Sequence, residues 1–176
     1  INLPIFVQFY IAIEPAYNKL FQNNGDLTFS DVTKTSGTEV LGIGSGVGNA
    51  DLDDDGFLDL FLTNRTFYNS DKQITESDRN YLLRNKGNGN NWIKIELTGT
   101  KSNTNAYGAR VKVMAGESIQ YREHTSAHGY NSANDYRLHF GLANEESIDT
   151  IEIIWPSGER QLLTDIAVNQ TLSIEE

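Results

Sequence analysis

The residues best equipped for chemistry lie in one acidic stretch of the N-terminal half. Residues 51–59 read DLDDDGFLD, a pattern of the form D-x-D-x-D-G-x-x-D. Carboxylates at alternate positions converge when such a loop coils around a hard cation, and Ca²⁺ takes about six to eight oxygen ligands. Gly56 permits the sharp reversal that turns the next backbone carbonyl toward the ion. We predict a calcium site whose ligands are the side chains of Asp51, Asp53, Asp55 and Asp59 and the carbonyl of Phe57.

The same loop does not have the pattern of an EF-hand. Leu62 stands at the twelfth loop position, where an EF-hand carries a bidentate Glu, and the flanking sequence is typical of strands. The alternative to an ion site is an Asp-rich turn that is open to solvent. Carboxylates this close together repel one another unless a cation compensates their charge. The spacing therefore favours calcium over the solvated turn.

Three histidines raise the question of zinc, but their spacing does not support it. His124 and His128 enclose the sequence HTSAH, which lacks the general-base Glu of H-E-x-x-H, and His139 lies farther along the chain. In a β context, a separation of four residues need not bring two side chains together. The chain has no cysteine, which excludes disulfides and Cys-ligated zinc. We expect these histidines to make local hydrogen bonds.

None of the sequence patterns that indicate catalysis is complete. The glycine-rich run 42–48 does not fit G-x-G-x-x-G, and it lacks the Lys of a phosphate-binding loop. Ser45 and Ser157 lie in glycine-containing loops without the G-x-S-x-G of a nucleophile elbow. Nothing in the spacing of the acids selects a glycosidase pair. We therefore predict no catalytic residue and no enzyme, with a hydrolase as the least favoured alternative.

A second polar cluster lies in the C-terminal half, near residues 129–137. Asp135, Arg137 and His139 follow the Gly129-Tyr130 loop, and such groups could bind a sugar or a peptide end. Arg137 and His139 could equally form the solvent face of a strand while Tyr130 covers the core. We favour the second interpretation. The two tryptophans, Trp92 and Trp155, are expected in the core rather than as ligand platforms.

Composition and charge limit the partners. The chain has 176 residues, with 24 acidic and 14 basic side chains and a formal net charge of -10. This balance excludes nucleic acid, whose phosphates require clustered Lys and Arg, and it disfavours an anionic membrane surface. The apolar stretch 1–11 is too short to span a bilayer and has no basic n-region. We predict a strand there and no membrane insertion.

Strands are predicted throughout the N-terminal half. Residues 58–63 are almost continuously apolar, which indicates a strand buried on both faces, and the polar residues 64–79 are predicted as a loop. Residues 18–25 and 80–87 share the pattern N-x-L-x-x-N-x-G, as expected of a strand that runs into an Asn/Gly turn. This repetition suggests a repeat architecture.

The C-terminal half shows the alternation of a sandwich. Ile93, Ile95 and Leu97 point one way while Lys94 and Glu96 point the other, and later stretches repeat this pattern up to residue 174. Strands at this spacing predict a β-sandwich of about seven strands. The predicted fold class is all-β, with a repeat region at residues 1–90 and the sandwich at residues 91–176.

Residues 46–60, with residues 18–33, resemble an FG-GAP/VCBS repeat of integrin-like β-propellers. The first segment, GVGNADLDDDGFLDL, is similar to the strand-loop-strand calcium site of these repeats, and NKLFQNNGDLTFSDVT is similar to their hairpin. Leu27 stands where the hairpin pattern usually has Gly. The resemblance implies one or two propeller-type blades with a calcium-binding loop. A closed propeller needs about four blades or more, so residues 1–90 are either the end of a longer propeller, which we favour, or a lone blade that packs directly on the sandwich.

Residues 92–174 resemble the ASPIC/UnbV domain, which follows such repeats in a family of exported proteins. The matching pieces, in chain order, are GTKSN at 99–103, GARV at 108–111, SAHGY at 126–130, LHFGL at 138–142 and WPSG at 155–158. The resemblance implies an extracellular or cell-surface location, with the bacterial outer surface or periplasm included. It also implies a role in adhesion or recognition, and it supplies no biochemical activity for this second domain.

Together these observations predict a non-enzymatic, calcium-binding module that recognises a protein or glycan partner at the cell surface. One alternative is a structural or glycan-binding accessory subunit of a bacterial outer-surface assembly. The chain is further expected to belong to a larger chain or complex. The sequence separates these binding functions from an enzyme, but it does not choose between adhesion, glycan binding and assembly.

Overall fold

The computed structural model describes residues 5–8, 16–69, 74–77, 79–130 and 132–176. The fold is all-β, as predicted, and the described residues contain one short helix, α1, at Thr33–Ser36. Of the strand predicted at residues 1–11, only Ile5–Gln8 lies within the described residues. The strands within these described ranges form several small sheets, and none of those sheets closes into a barrel.

The strands before residue 84 form small antiparallel sheets. In chain order they are β1 Ile5–Gln8, β2 Ala16–Tyr17, β3 Lys19–Asn23, β4 Phe29–Asp31, β5 Leu41–Gly42, β6 Gly44–Ala50, β7 Asp59–Asn64, β8 Thr66–Asn69, β9 Ile74–Ser77 and β10 Tyr81–Leu83. Strand β3 pairs with β1 and β4, β2 pairs with β5, and β7 lies between β6 and β10. The acidic stretch connects β6 to β7, so one three-stranded sheet carries it.

Strands β8 and β9 pair with each other, which corrects the loop predicted at residues 64–79. The segment is polar overall, but both strands contain residues with high β-propensity, namely Thr, Phe and Tyr in one and Ile and Thr in the other. Local propensity therefore outweighs the average polarity that suggested a loop.

The hairpin turn between β3 and β4 contains a strained residue. Leu27 has a φ of 69° and is 96% exposed. A left-handed backbone costs a side-chain-bearing residue about 1–2 kcal/mol, and glycine adopts it without this cost. The glycine of the repeat pattern is thus the residue that this turn favours.

We expect Leu27→Gly to stabilise the protein by about 0.5–1 kcal/mol. The relief of backbone strain is partly offset by the greater conformational entropy of glycine in the unfolded chain. Urea unfolding of both proteins would measure the difference. Leu27→Ala is the control, because it removes the exposed leucine side chain but keeps the strained backbone. Equal stabilisation by both variants would show that strain at φ is not the cause.

The second half folds as the predicted sandwich. Its seven strands are β11 Asn91–Thr98, β12 Arg110–Ala115, β13 Ser118–Glu123, β14 Leu138–Ala143, β15 Ser147–Ile154, β16 Arg160–Ala167 and β17 Gln170–Glu175. One sheet has the order β14-β11-β17 and the other β13-β12-β15-β16. Strand β17 runs parallel to β11, with Ile93 opposite Gln170, and the other pairings are antiparallel.

A single hydrophobic core lies between these two sheets. Alternate residues of β11, β12 and β14 enter it, in agreement with the period of two read from the sequence, and β15 contributes Ile148, Ile151 and Ile153. The buried members are Ile93, Ile95, Leu97, Ala106, Ala109, Val111, Val113, Ala115, Leu138, Phe140, Leu142, Ile148, Ile151, Ile153, Trp155 and Ile174. Trp155 is therefore a core residue, as expected. Because this core fixes β11 and β14, it also fixes the side chains on the outer faces of these strands.

Two of the sequence pieces singled out above meet at the end of the chain. The side-chain carboxylate of Glu176 accepts backbone N–H bonds from Thr100, Lys101 and Ser102 and hydroxyl bonds from Ser102 and Ser157. Desolvation tends to raise the pKa of this carboxyl, but the hydrogen bonds from Ser157 and Ser102 prevail and lower it to about 2. The GTKSN and WPSG segments thus hold the residue that follows β17 in place within the sandwich.

His124 is buried beside the sandwich and does not make the local hydrogen bonds predicted for it. It is 4% exposed, neither ring nitrogen has a hydrogen-bond partner among the described residues, and its ring lies 5.1 Å from that of Tyr107. Burial lowers the pKa of His124 below 6.5, although nearby carbonyls of Tyr136 and Ala106 oppose the shift. The imidazole is therefore neutral when the protein is folded near pH 7.

This burial predicts a loss of stability in mild acid. Because His124 binds a proton more readily in the unfolded chain, its contribution to the free energy of unfolding should be constant above about pH 6.5 and should fall below it. Urea unfolding at pH 7.5 and 5.5 would show the slope. His124→Phe, which fills a similar volume and does not titrate, should reduce that slope. The prediction is wrong if the variant and the wild type lose stability equally.

Candidate metal centre

The acidic loop coils tightly around the carboxylate of its first residue. Asp51 accepts the N–H of Asp55 on Oδ1 at 3.0 Å and the N–H of Gly56 on Oδ2 at 2.9 Å. Asp55 in turn accepts the N–H of Phe57 at 3.0 Å. Asp54 and Gly56 have φ values of 57° and 91°, so the chain reverses here through left-handed residues. The short D-x-D-x-D-G sequence thus produces its own turn.

This coil brings three of the predicted ligands together. Oxygens of Asp51, Asp53 and Asp55 lie within 4.8 Å of one another, with Asp51 buried and Asp53 exposed. Asp59 is 4% exposed and accepts the N–H groups of Leu52 and Asn85. The donor set is composed of oxygen alone, which suits a hard cation such as Ca²⁺ better than zinc. Coordination by these residues and by the Phe57 carbonyl stays a prediction.

Lys94, on the sandwich strand β11, enters the same loop. Its ammonium group donates to Asp51 Oδ2 and to Asp54 Oδ1, each at 2.7 Å, and lies 5.0 Å from the centre of the Trp92 ring. Lys94 is 1% exposed, although the strand pattern placed it on the face opposite the core residues Ile93 and Ile95. The alternation is correct, but the acidic loop covers the outer face of this sheet.

Arg137 lies beside Lys94 and also binds the loop. It donates to both carboxylate oxygens of Asp135, to Asp54 Oδ1 at 2.8 Å and to the Asp51 carbonyl at 3.2 Å. The hydrogen bond to Asp135 is the main cause of its raised pKa. Hydrogen bonds from Lys94 and Arg137 likewise lower the pKa of Asp54. The interpretation of Arg137 as a solvent-facing residue is therefore wrong.

His139 and Trp92 complete the contact between loop and sandwich. His139 Nε2 lies 2.8 Å from the Gly56 carbonyl, and the His139 and Trp92 rings stack with centroids 6.4 Å apart. Burial lowers the pKa of His139, so a neutral imidazole donates to this carbonyl. Trp92 packs against Gly56 and is only partly buried, which corrects its expected place in the core. The outer face of the β14-β11-β17 sheet is therefore an interface with the acidic loop.

The charges of the described residues around the loop do not balance. Six carboxylates lie here, on Asp51, Asp53, Asp54, Asp55, Asp59 and Asp135. Three cations compensate them: Lys94, Arg137 and Arg84, whose guanidinium bridges Asp53 and Asp55 from an exposed position. The difference of three negative charges would fall to one with a divalent cation. The loop therefore fits calcium by its net charge as well as by its donor atoms.

An open cleft of about 470 Å³ adjoins the loop. Its walls are formed by β6, β7 and the acidic loop on one side and by residues 133–137 on the other. Asn49 and Asn134 line it, together with the half-exposed rings of Phe61 and Tyr136. Phe61 is 44% exposed, so the prediction of a strand buried on both faces is wrong for β7. Gly48, which lies opposite Phe61, lets the Ala133 backbone approach β6, since an added Cβ atom would lie 2.8 Å from the Ala133 carbonyl oxygen.

Of the two family resemblances, that of the sandwich is matched by a known family model. Residues 99–176 match the family model described as ASPIC and UnbV, which confirms the resemblance of the sandwich to that domain. The FG-GAP/VCBS resemblance of residues 1–90 stays a prediction. In the described part of the chain, no helix is long and apolar enough to cross a membrane.

Curated relatives agree with this match. The chain is 27% identical over 170 residues to cartilage acidic protein 1 of Homo sapiens. This alignment covers 90% of the chain and 23% of the relative. It is 27% identical over 154 residues to cartilage acidic protein 1 of Mus musculus and 26% identical over 157 residues to that of Xenopus tropicalis. The aligned region covers less than a quarter of the length of each of these relatives.

Proposed function

We propose that the chain is a non-enzymatic, exported module that binds calcium in its acidic loop and recognises a partner beside it. The grouped oxygens of Asp51, Asp53 and Asp55, with the uncompensated negative charge around them, are the observation that carries this proposal. The histidines offer little support for catalysis, since His139 donates a hydrogen bond to the Gly56 carbonyl and His124 is buried. The name of the relatives refers to cartilage, a tissue rich in extracellular matrix, and this supports an exported location.

Calcium should raise the melting temperature by about 4–7 °C. Extracellular modules bind calcium with dissociation constants of about 0.1–1 mM, and about twentyfold saturation adds about 1.8 kcal/mol. A domain of this size gains about 2–4 °C for each kcal/mol. Thermal melts with millimolar calcium and with excess chelator would test this on the wild type and on Asp53→Ala/Asp55→Ala.

The control for this melt removes two acids elsewhere. Glu117 and Glu146 are exposed and lie outside the loop, so Glu117→Ala/Glu146→Ala should keep the full response to calcium. Asp53→Ala/Asp55→Ala should lose it. A wild-type protein whose melting temperature and protease resistance do not change with calcium would refute the metal site.

The cleft beside the loop supports recognition of a hydroxyl-rich ligand. Its basic side chain, Arg137, is already bound to Asp135 and Asp54, which disfavours anionic ligands. The remaining lining includes four aspartates, two asparagines and the rings of Phe61 and Tyr136, which suit sugar hydroxyls and the apolar faces of sugar rings. A glycan partner is therefore favoured over an acidic peptide. This also keeps a glycan-binding accessory subunit as a candidate.

Affinity electrophoresis through gels that contain individual polysaccharides would test the glycan. We expect retardation in at least one gel, and Phe61→Ala/Tyr136→Ala should weaken it about tenfold or more, since stacking on aromatic rings contributes much of such binding. Tyr121→Ala is the matched control, because Tyr121 is 66% exposed on β13 and does not line the cleft. Equal losses for both variants would exclude the cleft as the site.

A further inference from the structure

Asp54 lies between two predicted calcium ligands but is held by the sandwich. Its Oδ1 accepts hydrogen bonds from Lys94 at 2.7 Å and Arg137 at 2.8 Å. The group of oxygens within 4.8 Å contains its neighbours Asp53 and Asp55 together with Asp51, and it does not include Asp54. Asp54 is thus bound to β11 and to the segment before β14, whereas Asp51 belongs to the oxygen group and also accepts a hydrogen bond from Lys94.

Three further contacts join the loop to the sandwich. Lys94 donates to the Asp51 carboxylate, Arg137 to the Asp51 carbonyl and His139 to the Gly56 carbonyl. These acceptors belong to the same turn as the predicted ligands, because Asp51 also accepts the N–H of Gly56. A loop that uncoils would therefore move its metal ligands and its sandwich contacts together.

We propose that calcium binding in the loop and docking of the sandwich on the loop are energetically coupled, with Asp54 and Arg137 as the coupling pair. This proposal rests on the proposed calcium site. Calcium holds the loop in its coil, so Asp54 and the two carbonyls stay where Lys94, Arg137 and His139 reach them. Coupling is reciprocal, and an intact interface should raise calcium affinity about five- to tenfold.

Arg137→Gln distinguishes coupling from simple electrostatics. Removal of a cation near the loop should tighten calcium binding if charge alone matters. If docking supports the loop, the same change should weaken calcium binding about five- to tenfold. Isothermal titration of the full chain with calcium would determine the sign.

Asp54→Asn provides a milder second variant. Asparagine tolerates the left-handed φ of 57° at this position, and none of the predicted ligands is lost. This variant should still bind calcium, but calcium should protect the sandwich less than in the wild type, since the charge that Lys94 and Arg137 bind is lost. Hydrogen exchange in β12 and β15, whose sheet lies on the far side of the core, provides the readout.

Three outcomes separate the two proposals. Slower exchange in β12 and β15 on addition of calcium, seen in the wild type and reduced in both variants, would support the coupling. If the wild type binds calcium but exchange in these strands does not change, or Arg137→Gln binds more tightly, the coupling is wrong and the site stands. If the wild type binds no calcium, the site and the coupling are both wrong.

Discussion

Lys94→Met is expected to lower the free energy of unfolding by about 3–5 kcal/mol. Methionine keeps the length and apolar contacts of the side chain, but it leaves the carboxylate of Asp51 buried without its cation. Removal of one partner from a buried ion pair has costs of this size, because the remaining charge is uncompensated. Lys94 and Asp51 are 1% and 0% exposed at their side chains, so solvent screens the pair little. Urea unfolding in calcium-free buffer would measure the change.

Two further variants make this prediction specific. Lys101→Met removes an exposed lysine that pairs with Glu159, and it should have little effect because solvent screens such pairs. Asp51→Asn in the Lys94→Met background should recover part of the loss, since it removes the uncompensated charge. A cost below about 1 kcal/mol for Lys94→Met would show that the ammonium does not stabilise the loop.

Gly56→Ala is expected to destabilise the protein by about 2–5 kcal/mol. A Cβ atom at this position would lie 1.8 Å from Trp92 Nε1 and 2.0 Å from Trp92 Cε2. Trp92 cannot move away freely, because its ring stacks on His139 and lies over Lys94. Overpacking of about 1–3 kcal/mol adds to the cost of about 1–2 kcal/mol for a left-handed φ of 91°.

Gly89→Ala separates these two causes. Gly89 has a φ of 78°, and a Cβ atom added there would have no neighbouring atom within 4 Å. This variant should therefore lose only the backbone contribution, about 1–2 kcal/mol. Thermal and urea unfolding of both variants would measure the difference. If the two glycines cost the same, the contact between Gly56 and Trp92 is not tight in solution.

Much of the sandwich was predictable from alternation alone. Ile93, Ile95 and Leu97 are buried in the core, and the seven strands agree with the number expected. A period of two shows which side chains share a face of the sheet. When only one face is buried, apolar and polar residues alternate in the sequence, so the pattern is easy to recognise. The pattern is weaker for β7, where Phe61 is apolar but exposed to the cleft.

The acidic loop was predictable because its contacts are local. Asp51, Asp55 and Gly56 hydrogen-bond one another within six residues of chain, so their spacing alone dictates the coil. The coil in turn groups the carboxylates of Asp51, Asp53 and Asp55. The hydrogen bonds that form the coil itself all lie within this short segment.

The partners of the loop were not predictable. Lys94 and His139 are opposite each other on β11 and β14, on the outer face of their sheet, and their sequence pattern is that of solvent-facing residues. Arg137 precedes β14 and gives no separate signal. A polar face looks the same in sequence whether water or an acidic loop covers it, because both satisfy charged and hydrogen-bonding groups.

The all-β fold class, the strands of the sandwich and the coil of the acidic loop can all be read from the chain before it folds, since each follows from local spacing or from a strict period. The position of the loop on the sandwich, and its contacts with Lys94, Arg137 and His139, emerge only in the folded molecule. Distance along the chain explains the difference, because Lys94 lies 40 residues from Asp54 and Arg137 lies 83 residues from it. Such contacts form through packing of whole sheets, which no short pattern encodes.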